Sequence, residues 1–115
     1  MWFKIKKKFR GNIYLINDSL VSNDNYSKAN RRVVAVNNNP NNLHIVKIKS
    51  LYDKNGNRRK NLIRIGKYKC LTKKSGIHPK VYKKTRFTTN IKESKLHKTN
   101  CKLNLYDRFK IRKLK

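Results

Sequence analysis

The sequence predicts a mainly β protein, a small antiparallel barrel of about five to seven short strands followed by a short C-terminal helix. Three observations predict this fold. Short runs of β-branched and other apolar residues recur along the chain, turn sequences rich in Asn and Gly separate them, and a helix-start pattern stands near the end. A length of 115 residues suits a single domain, 1–115, with one modest core.

The clearest part of the pattern is a predicted hairpin in the first half of the chain. Residues 33–36 (VVAV) are typical of a buried strand. Residues 37–42 (NNNPNN) are a strong turn signal. The strand pattern resumes over 44–50, where apolar residues alternate with lysines.

The two outer ends of this hairpin carry groups that suit phosphate chemistry. Arg31 and Arg32 precede the first strand, and Ser50 ends the second. In an antiparallel hairpin these ends lie at the same end of the sheet, so we expect the three side chains to meet around one ligand. A guanidinium can bind phosphate oxygens through two donors, and a hydroxyl can hydrogen-bond the same oxyanion. The alternative is that both arginines form a solvated strand end.

The residues before the hairpin predict one strand and two less regular segments. Residues 1–9 form a basic N-terminal strand or a phosphate-contacting arm, and Asn12–Ile16 is the first predicted strand of the core. Residues 17–30 are polar and predict a long loop. A loop of this length in a small domain is often functional, although a plain surface loop fits the composition equally well.

Weaker signals follow the hairpin. Asn55 and Gly56 predict a tight turn, after which residues 61–65 are expected to form a strand that pairs back on 44–50. Further short strands are predicted at 81–82 and 91–97, and residues 67–76 predict either a helical turn or a bulge.

A helix is predicted over residues 104–113. Asn104 followed by Asp107 is typical of a helix start. The residues expected to form its buried face are Leu105, Phe109, Ile111 and Leu114.

The charge of the chain is its most unusual property. It has 32 Lys and Arg residues against five Asp and Glu, a formal net charge of +27. Such a charge opposes folding through self-repulsion, so a polyanionic partner is expected, and nucleic acid is the leading candidate.

Other function classes find little support in the sequence. Cys70 and Cys101 have no second ligand beside them, so we expect two free thiols and neither a metal nor a cofactor. No apolar run approaches the length of a membrane span, and the start of the chain lacks a signal peptide's apolar core. The expectation is a soluble, cytoplasmic protein.

The order of these elements resembles the MazF/PemK-type toxins of toxin–antitoxin systems, which are small SH3-like barrels that cleave RNA. The resemblance covers roughly residues 9–113 and consists of five weak motifs that occur in order. The matching segments are 10–14 (RGNIY, against RGDIY), 31–38 (RRVVAVNN, against RPVLV), 49–50 (KS, against TS), 71–77 (LTKKSGI, against a Leu…Ser-x-Val step) and 101–111 (CKLNLYDRFKI, against the closing helix).

The resemblance implies a metal-independent endoribonuclease that cleaves single-stranded RNA. In the family the 2′-hydroxyl attacks the adjacent phosphorus, leaving a cyclic phosphate and a 5′-hydroxyl. The family's catalytic serine or threonine falls on Ser50. Its arginine falls on Arg31 or Arg32, since Arg32 replaces the usual proline. A homodimer, an acidic antitoxin and a mobile genetic element are further implications.

The alternative is a non-catalytic barrel that binds RNA or DNA, such as a ribosomal or mobile-element protein. Such a protein would grip phosphates and stack bases on tyrosines, for which Tyr14, Tyr52, Tyr68 and Tyr82 are candidates. In both readings the expected nucleic-acid-binding residues are Arg10, Lys47, Lys49, Arg58, Arg59, Lys73 and Lys74.

Overall fold

The computed structural model describes residues 8–21 and 30–114. Within these ranges the protein is mainly β, as predicted, with one short α-helix. The strands are β1 (Asn12–Ile16), β2 (Arg31–Ala35), β3 (Ile45–Ser50), β4 (Ile63–Arg64), β5 (Ser75–Tyr82) and β6 (His97–Lys102), and the helix is α1 (Leu105–Lys110). Two 3₁₀ turns lie at Asp18–Leu20 and Glu93–Lys95.

All six strands form one antiparallel sheet in the order β4-β5-β3-β2-β1-β6. The described strands form an open sheet that does not close into a barrel, with β4 and β6 at its edges. Register shifts interrupt the β1–β6 pair between Ile13 and Tyr14 and the β3–β5 pair between Val46 and Ile48. Irregularities of this kind increase local twist and bend the strands.

The core has two layers because both faces of the central strands are covered. On one face, here called the helix face, Val34, Val46 and Ile77 pack with Ile111 at the end of α1. On the opposite face, here called the loop face, side chains of β1, β2 and β3 pack beneath a cover from the 91–96 segment. The buried residues of the loop face include Tyr14, Val33, Ala35, Ile45, Ile91 and Leu96. Successive residues of β2 and β3 therefore contribute to different layers, which is why 33–36 is apolar throughout.

The predicted first core strand and the central hairpin are confirmed. Strand β1 has the predicted bounds, and β2 and β3 form the predicted hairpin across the Asn-rich turn. In this turn Asn37 fixes the start of the returning strand, because its side chain accepts a hydrogen bond from His44 N at 2.8 Å and donates one to Asn42 O at 2.9 Å. Gly56 has a φ of +78°, as expected of its Asn-Gly turn.

The pairing predicted for residues 61–65 is wrong. Strand β4 does form there, but it pairs with β5, which lies between it and β3. Gly76 permits this arrangement: a Cβ at this position would lie 2.9 Å from side-chain atoms of both Leu51 and Leu62. Strand β5 also starts well before residue 81, within the segment that the sequence leaves ambiguous.

The strand predicted at 91–97 is wrong as well. Ile91 and Leu96 are buried against the loop face, and the 3₁₀ turn between them buries Glu93. The strand begins only at His97, where a polar sequence pairs along the edge of β1. The prediction for 1–9 concerns mainly residues 1–7, which lie outside the described residues.

Helix α1 starts as predicted, because the Asn104 side chain accepts a hydrogen bond from Asp107 N at 2.8 Å. Its predicted buried face is only partly correct. Ile111 is fully buried, whereas Leu105 and Phe109 are 75% and 64% exposed. No helix in the described part of the chain is long and apolar enough to cross a membrane.

A buried carboxylate holds this helix to the sheet. The Asp107 carboxylate accepts hydrogen bonds from Gly66 N at 2.9 Å and from the Tyr68 hydroxyl. The same hydroxyl accepts from Asn104 N at 3.0 Å. Burial and the bond to Asp107 raise the pKa of Tyr68 to about 12, so this hydroxyl keeps its proton at neutral pH.

We therefore predict that Tyr68→Phe destabilises the protein by about 1–3 kcal/mol, because Asp107 loses a donor and Asn104 N loses its acceptor. Urea unfolding at pH 7 measures the change. Tyr106→Phe is the matched control, since Tyr106 is exposed, and it should alter stability by less than about 0.5 kcal/mol. Equal effects of the two substitutions would show that the Asp107 cluster does not hold the helix.

Candidate nucleic-acid interface

The start of β2, with Arg31 and Arg32, and the end of β3, with Ser50, line one groove. The groove has a volume of about 460 Å³ and lies where β2 begins, β3 ends and the chain enters β5. Among the described residues, six cationic side chains line it, together with three hydroxyl-bearing residues and one amide, and none of these lining residues is acidic. They are Arg31, Arg32, Lys49, Lys54, Arg59 and Lys73, with Ser50, Thr72, Ser75 and Asn30.

Strand alternation separates the two arginines. Val33 pairs with Lys47, so the antiparallel register continued toward the strand end sets Arg31 beside Lys49. These residues belong to the loop face, together with Val33. Arg32 belongs to the helix face, as does Ser50, which lies two residues beyond the core residue Ile48.

Arg31 is bound to a buried carboxylate. Its Nε donates a hydrogen bond to Asp18 Oδ1 at 2.8 Å, and Lys47 Nζ lies 3.3 Å from the same oxygen. The Asp18 side chain is only 4% exposed. Burial alone would raise the pKa of Asp18, but the hydrogen bond and charge of Arg31, together with Lys47, hold that pKa below its ordinary value. Asp18 thus joins the start of β2 to the middle of β3 through opposite charges.

Arg32 has a different environment. Its side chain is exposed, and no ion pair to it occurs within residues 8–21 and 30–114. The Ser50 hydroxyl is half-buried beside it in the groove, opposite Ser75 of β5. Ser75 is already occupied, because its Oγ donates to Lys73 O at 2.8 Å. Arg32 and Ser50 are therefore the guanidinium and hydroxyl that share one face of the sheet.

The cations of the groove reinforce one another's field. Burial lowers the pKa of Lys49, and the nearby charges of Arg31, Lys47 and Arg59 lower it further. Such a shift arises where like charges are crowded and partly removed from water. A bound phosphate would relieve this repulsion, since it supplies the anion that the groove lacks.

Other predicted binding residues lie elsewhere. Lys47 is buried, contacts Asp18 and stacks on the Tyr82 ring at 5.0 Å, so it does not line the groove. Arg10 donates to Arg108 O at 3.2 Å and is not among the lining residues. The exposed residues Arg58 and Lys74 do not line the groove either.

The tyrosines predicted to stack bases are mostly committed to the fold. Tyr14 is fully buried, and its hydroxyl donates to Glu93 at 3.2 Å, which excludes it as a stacking surface. Tyr68 holds Asp107, and Tyr82 lies between two lysines. Of the four tyrosines, Tyr52 alone is exposed to solvent.

Sequence reasoning missed Asp18, Lys54 and Thr72. Asp18 lies in a segment that looks like an ordinary polar loop, and its partners are distant in sequence, so no local signal identifies it. Lys54 belongs to the Asn-Gly turn, where a lysine is unremarkable. The described residues contain no cluster of three or more His, Cys, Asp or Glu side chains that could hold a metal ion.

The two cysteines are free thiols, as expected, but they are also neighbours in space. Both pack against the core of the helix face. Burial and the contact with Cys101 raise the pKa of Cys70 to about 11, which keeps this thiol protonated at neutral pH. A protonated thiol is a poor nucleophile, so Cys70 does not supply one.

Comparisons with protein-family models, with curated protein sequences and with solved structures found no match to this chain.

We predict that Asp18→Asn destabilises the protein at pH 7 by about 3 kcal/mol, because Arg31 and Lys47 lose their shared counter-charge. Since the folded-state pKa of Asp18 is lowered, its contribution is complete well above the unfolded-state value of about 3.9 and is lost as the pH falls through the folded-state pKa. The difference between wild type and variant should therefore shrink from pH 7 to pH 2.

Urea unfolding at a series of pH values measures this difference. Asp53→Asn is the matched control: it removes one carboxylate from a turn, where an amide oxygen can still accept from Asn55 N and Asn57 N. Its effect should stay small. A penalty for Asp18→Asn that does not depend on pH would contradict the ion-pair account.

Proposed function

We propose that this chain binds single-stranded nucleic acid, RNA in the first place, through the phosphates of its backbone. The observation that carries the proposal is the groove of about 460 Å³, whose lining among residues 8–21 and 30–114 has six cations and no acidic side chain. Lys and Arg side chains that contact phosphates release condensed counterions, which supplies most of the affinity in sequence-independent binding. The hydroxyls of Ser50 and Thr72 add further donors for phosphate oxygens.

The positions of the acidic residues support the same proposal. Of the five in the chain, Asp18, Glu93 and Asp107 are buried, and each is paired with cations or hydrogen-bond donors. Asp53 is used by its own turn. The described surface is therefore positive almost everywhere, and a polyanion can approach it without meeting repulsion.

A second candidate function, metal-independent cleavage of RNA, is favoured because Arg32 and Ser50 line the same groove from one face of the sheet. A 2′-oxygen that attacks the adjacent phosphorus forms a new P–O bond as the bond to the 5′-oxygen breaks. The 2′-proton is released to solvent, and the leaving oxygen takes up a proton. The charge on the phosphoryl oxygens rises during this step, and in this proposal the Arg32 guanidinium and the Ser50 hydroxyl stabilise it. Arg31 is less suited, because it is held by Asp18.

The remaining implications of the toxin resemblance belong to this second candidate. An SH3-like barrel would require the sheet to curl further, and the two register shifts supply the bends that such curling needs. An acidic antitoxin would compete with RNA for the same groove by charge complementarity. A homodimer and a place on a mobile genetic element are part of the same proposal.

We predict that Arg59→Ala and Lys73→Ala each weaken binding of a single-stranded RNA oligonucleotide and reduce its salt slope by about 0.7, the value expected for one lost phosphate contact on a single strand. Fluorescence anisotropy across a range of salt concentrations measures both quantities. Arg58→Ala and Lys74→Ala are the matched controls, since both residues are exposed outside the groove. Equal slopes for all four variants would show that the groove is not the binding surface.

We also predict that any cleavage by the wild-type protein persists in EDTA and falls by about 10²–10³-fold in Ser50→Ala and in Arg32→Ala. The affinity for an uncleavable 2′-deoxy analogue should change less than threefold in Ser50→Ala. Ser94→Ala and Arg58→Ala are the controls. Salt-sensitive RNA binding with no cleavage product would reject the nuclease and leave the binding proposal intact.

A further inference from the structure

A second cavity adjoins the cationic groove. It has a volume of about 740 Å³, and Asn30 lines both spaces. The β1–β2 register connects them as well: Ile16 lines the cavity and pairs directly with Arg31, which lines the groove. Residues paired in this way lie about 5 Å apart at their Cα atoms and share one face of the sheet. A nucleotide whose phosphate lies in the groove near Arg31 is therefore close enough for its base to reach the cavity.

The cavity combines an apolar floor with one prominent aromatic ring. Ile16, Leu20 and Ile91 contribute apolar surface to its lining. Phe87 also lines it and is 78% exposed, the most exposed of the large hydrophobic residues in the described chain. A ring this open to solvent is available for a base to stack on.

The exposure of Phe87 is imposed by its loop. Phe87 N donates to Thr85 Oγ1 at 3.2 Å, and Thr88 N donates to the same oxygen at 3.0 Å. Thr88 Oγ1 in turn donates to Asn90 O at 2.6 Å. The loop is also tied to the 3₁₀ turn after β1, because Arg86 N donates to Leu20 O at 2.9 Å. The ring is thus presented outward by a hydrogen-bonded turn.

The polar part of the lining suits a nucleobase. Asn30 and Asn90 bring amides to the cavity, which can both donate to and accept from the edge of a base. Lys92 and Lys95 contribute positive charge that complements the flanking phosphates. An aromatic wall, apolar floor and amides at the side of a phosphate groove are the means by which proteins hold unstacked bases.

We infer that this cavity receives one unstacked base of a single-stranded nucleic acid, stacked on Phe87, while the adjoining phosphate lies in the cationic groove on the other side of Asn30. The inference rests on the proposed binding function and adds to it a site for one base, which gives a physical reason for the preference for single strands. A base within a duplex is paired and stacked, so it could enter only at an additional cost.

The test compares two ligands of equal length: a 2′-deoxy oligonucleotide that bears bases, and a phosphodiester chain of the same sugar composition whose positions are all abasic. Phe87→Ala should weaken binding of the first by about 5- to 150-fold, the range measured for loss of one base–aromatic stack. It should leave binding of the abasic chain within twofold. Phe87→Tyr should retain the affinity of wild type, because it preserves the ring.

Phe109→Ala is the matched control, since Phe109 is an exposed aromatic outside the cavity. It should alter binding of neither ligand more than twofold. Equal weakening by Phe87→Ala and Phe109→Ala, or equal affinity of wild type for the two ligands, would overturn the inference. The binding function would then still stand if Arg59→Ala and Lys73→Ala weakened both ligands. If the wild-type protein bound neither ligand, both the proposed binding function and this inference would be rejected.

Discussion

The fold depends on placing very few negative charges among very many positive ones. Asp18 joins the start of β2 to the middle of β3 through Arg31 and Lys47. Glu93 accepts from Tyr14 in β1 and lies 3.6 Å from Lys98 in β6, and Asp107 holds the helix to the 66–68 segment. Each carboxylate is buried where segments distant in sequence meet. A buried carboxylate that lost its partners would be strongly destabilising, so these contacts constrain how the segments can assemble.

The same placement determines where function can reside. Since both faces of the central strands are covered by core, ligands have access to the sheet mainly at the strand ends. Asp18 occupies Arg31 at the entrance of β2, and strand alternation directs Arg32 to the other face, toward Ser50. The two adjacent arginines therefore have different roles. Arg31 stabilises the fold through its ion pair with Asp18, whereas Arg32 is available to a ligand. The difference arises from alternation and from a single carboxylate.

The features that the sequence predicted correctly are those with local causes. The β2–β3 hairpin follows from an apolar run and an Asn-rich turn, and the helix start follows from Asn104 and Asp107. The placement of β5 between β3 and β4 has no local cause, because it depends on a close approach at Gly76. Strand β6 is a polar edge strand, so it lacks the alternation that identifies strands. The exposure of Leu105 shows a further limit: periodicity identifies residues that share a helix face but does not say whether that face meets the core.

The groove itself was partly predictable, and the reason lies in hairpin geometry. That Arg32 and Ser50 should approach one another follows from the ends of an antiparallel pair, whereas Lys54, Thr72 and Lys73 reach the groove from loops whose paths depend on β4 and β5. The lining contains no carboxylate or imidazole among the described residues, so the groove offers charge stabilisation without an evident proton acceptor. Positive charge of this kind suits the proposed phosphate binding, whereas cleavage would have to rely on electrostatic stabilisation alone. The chemistry of the lining therefore favours the binding proposal over the catalytic one.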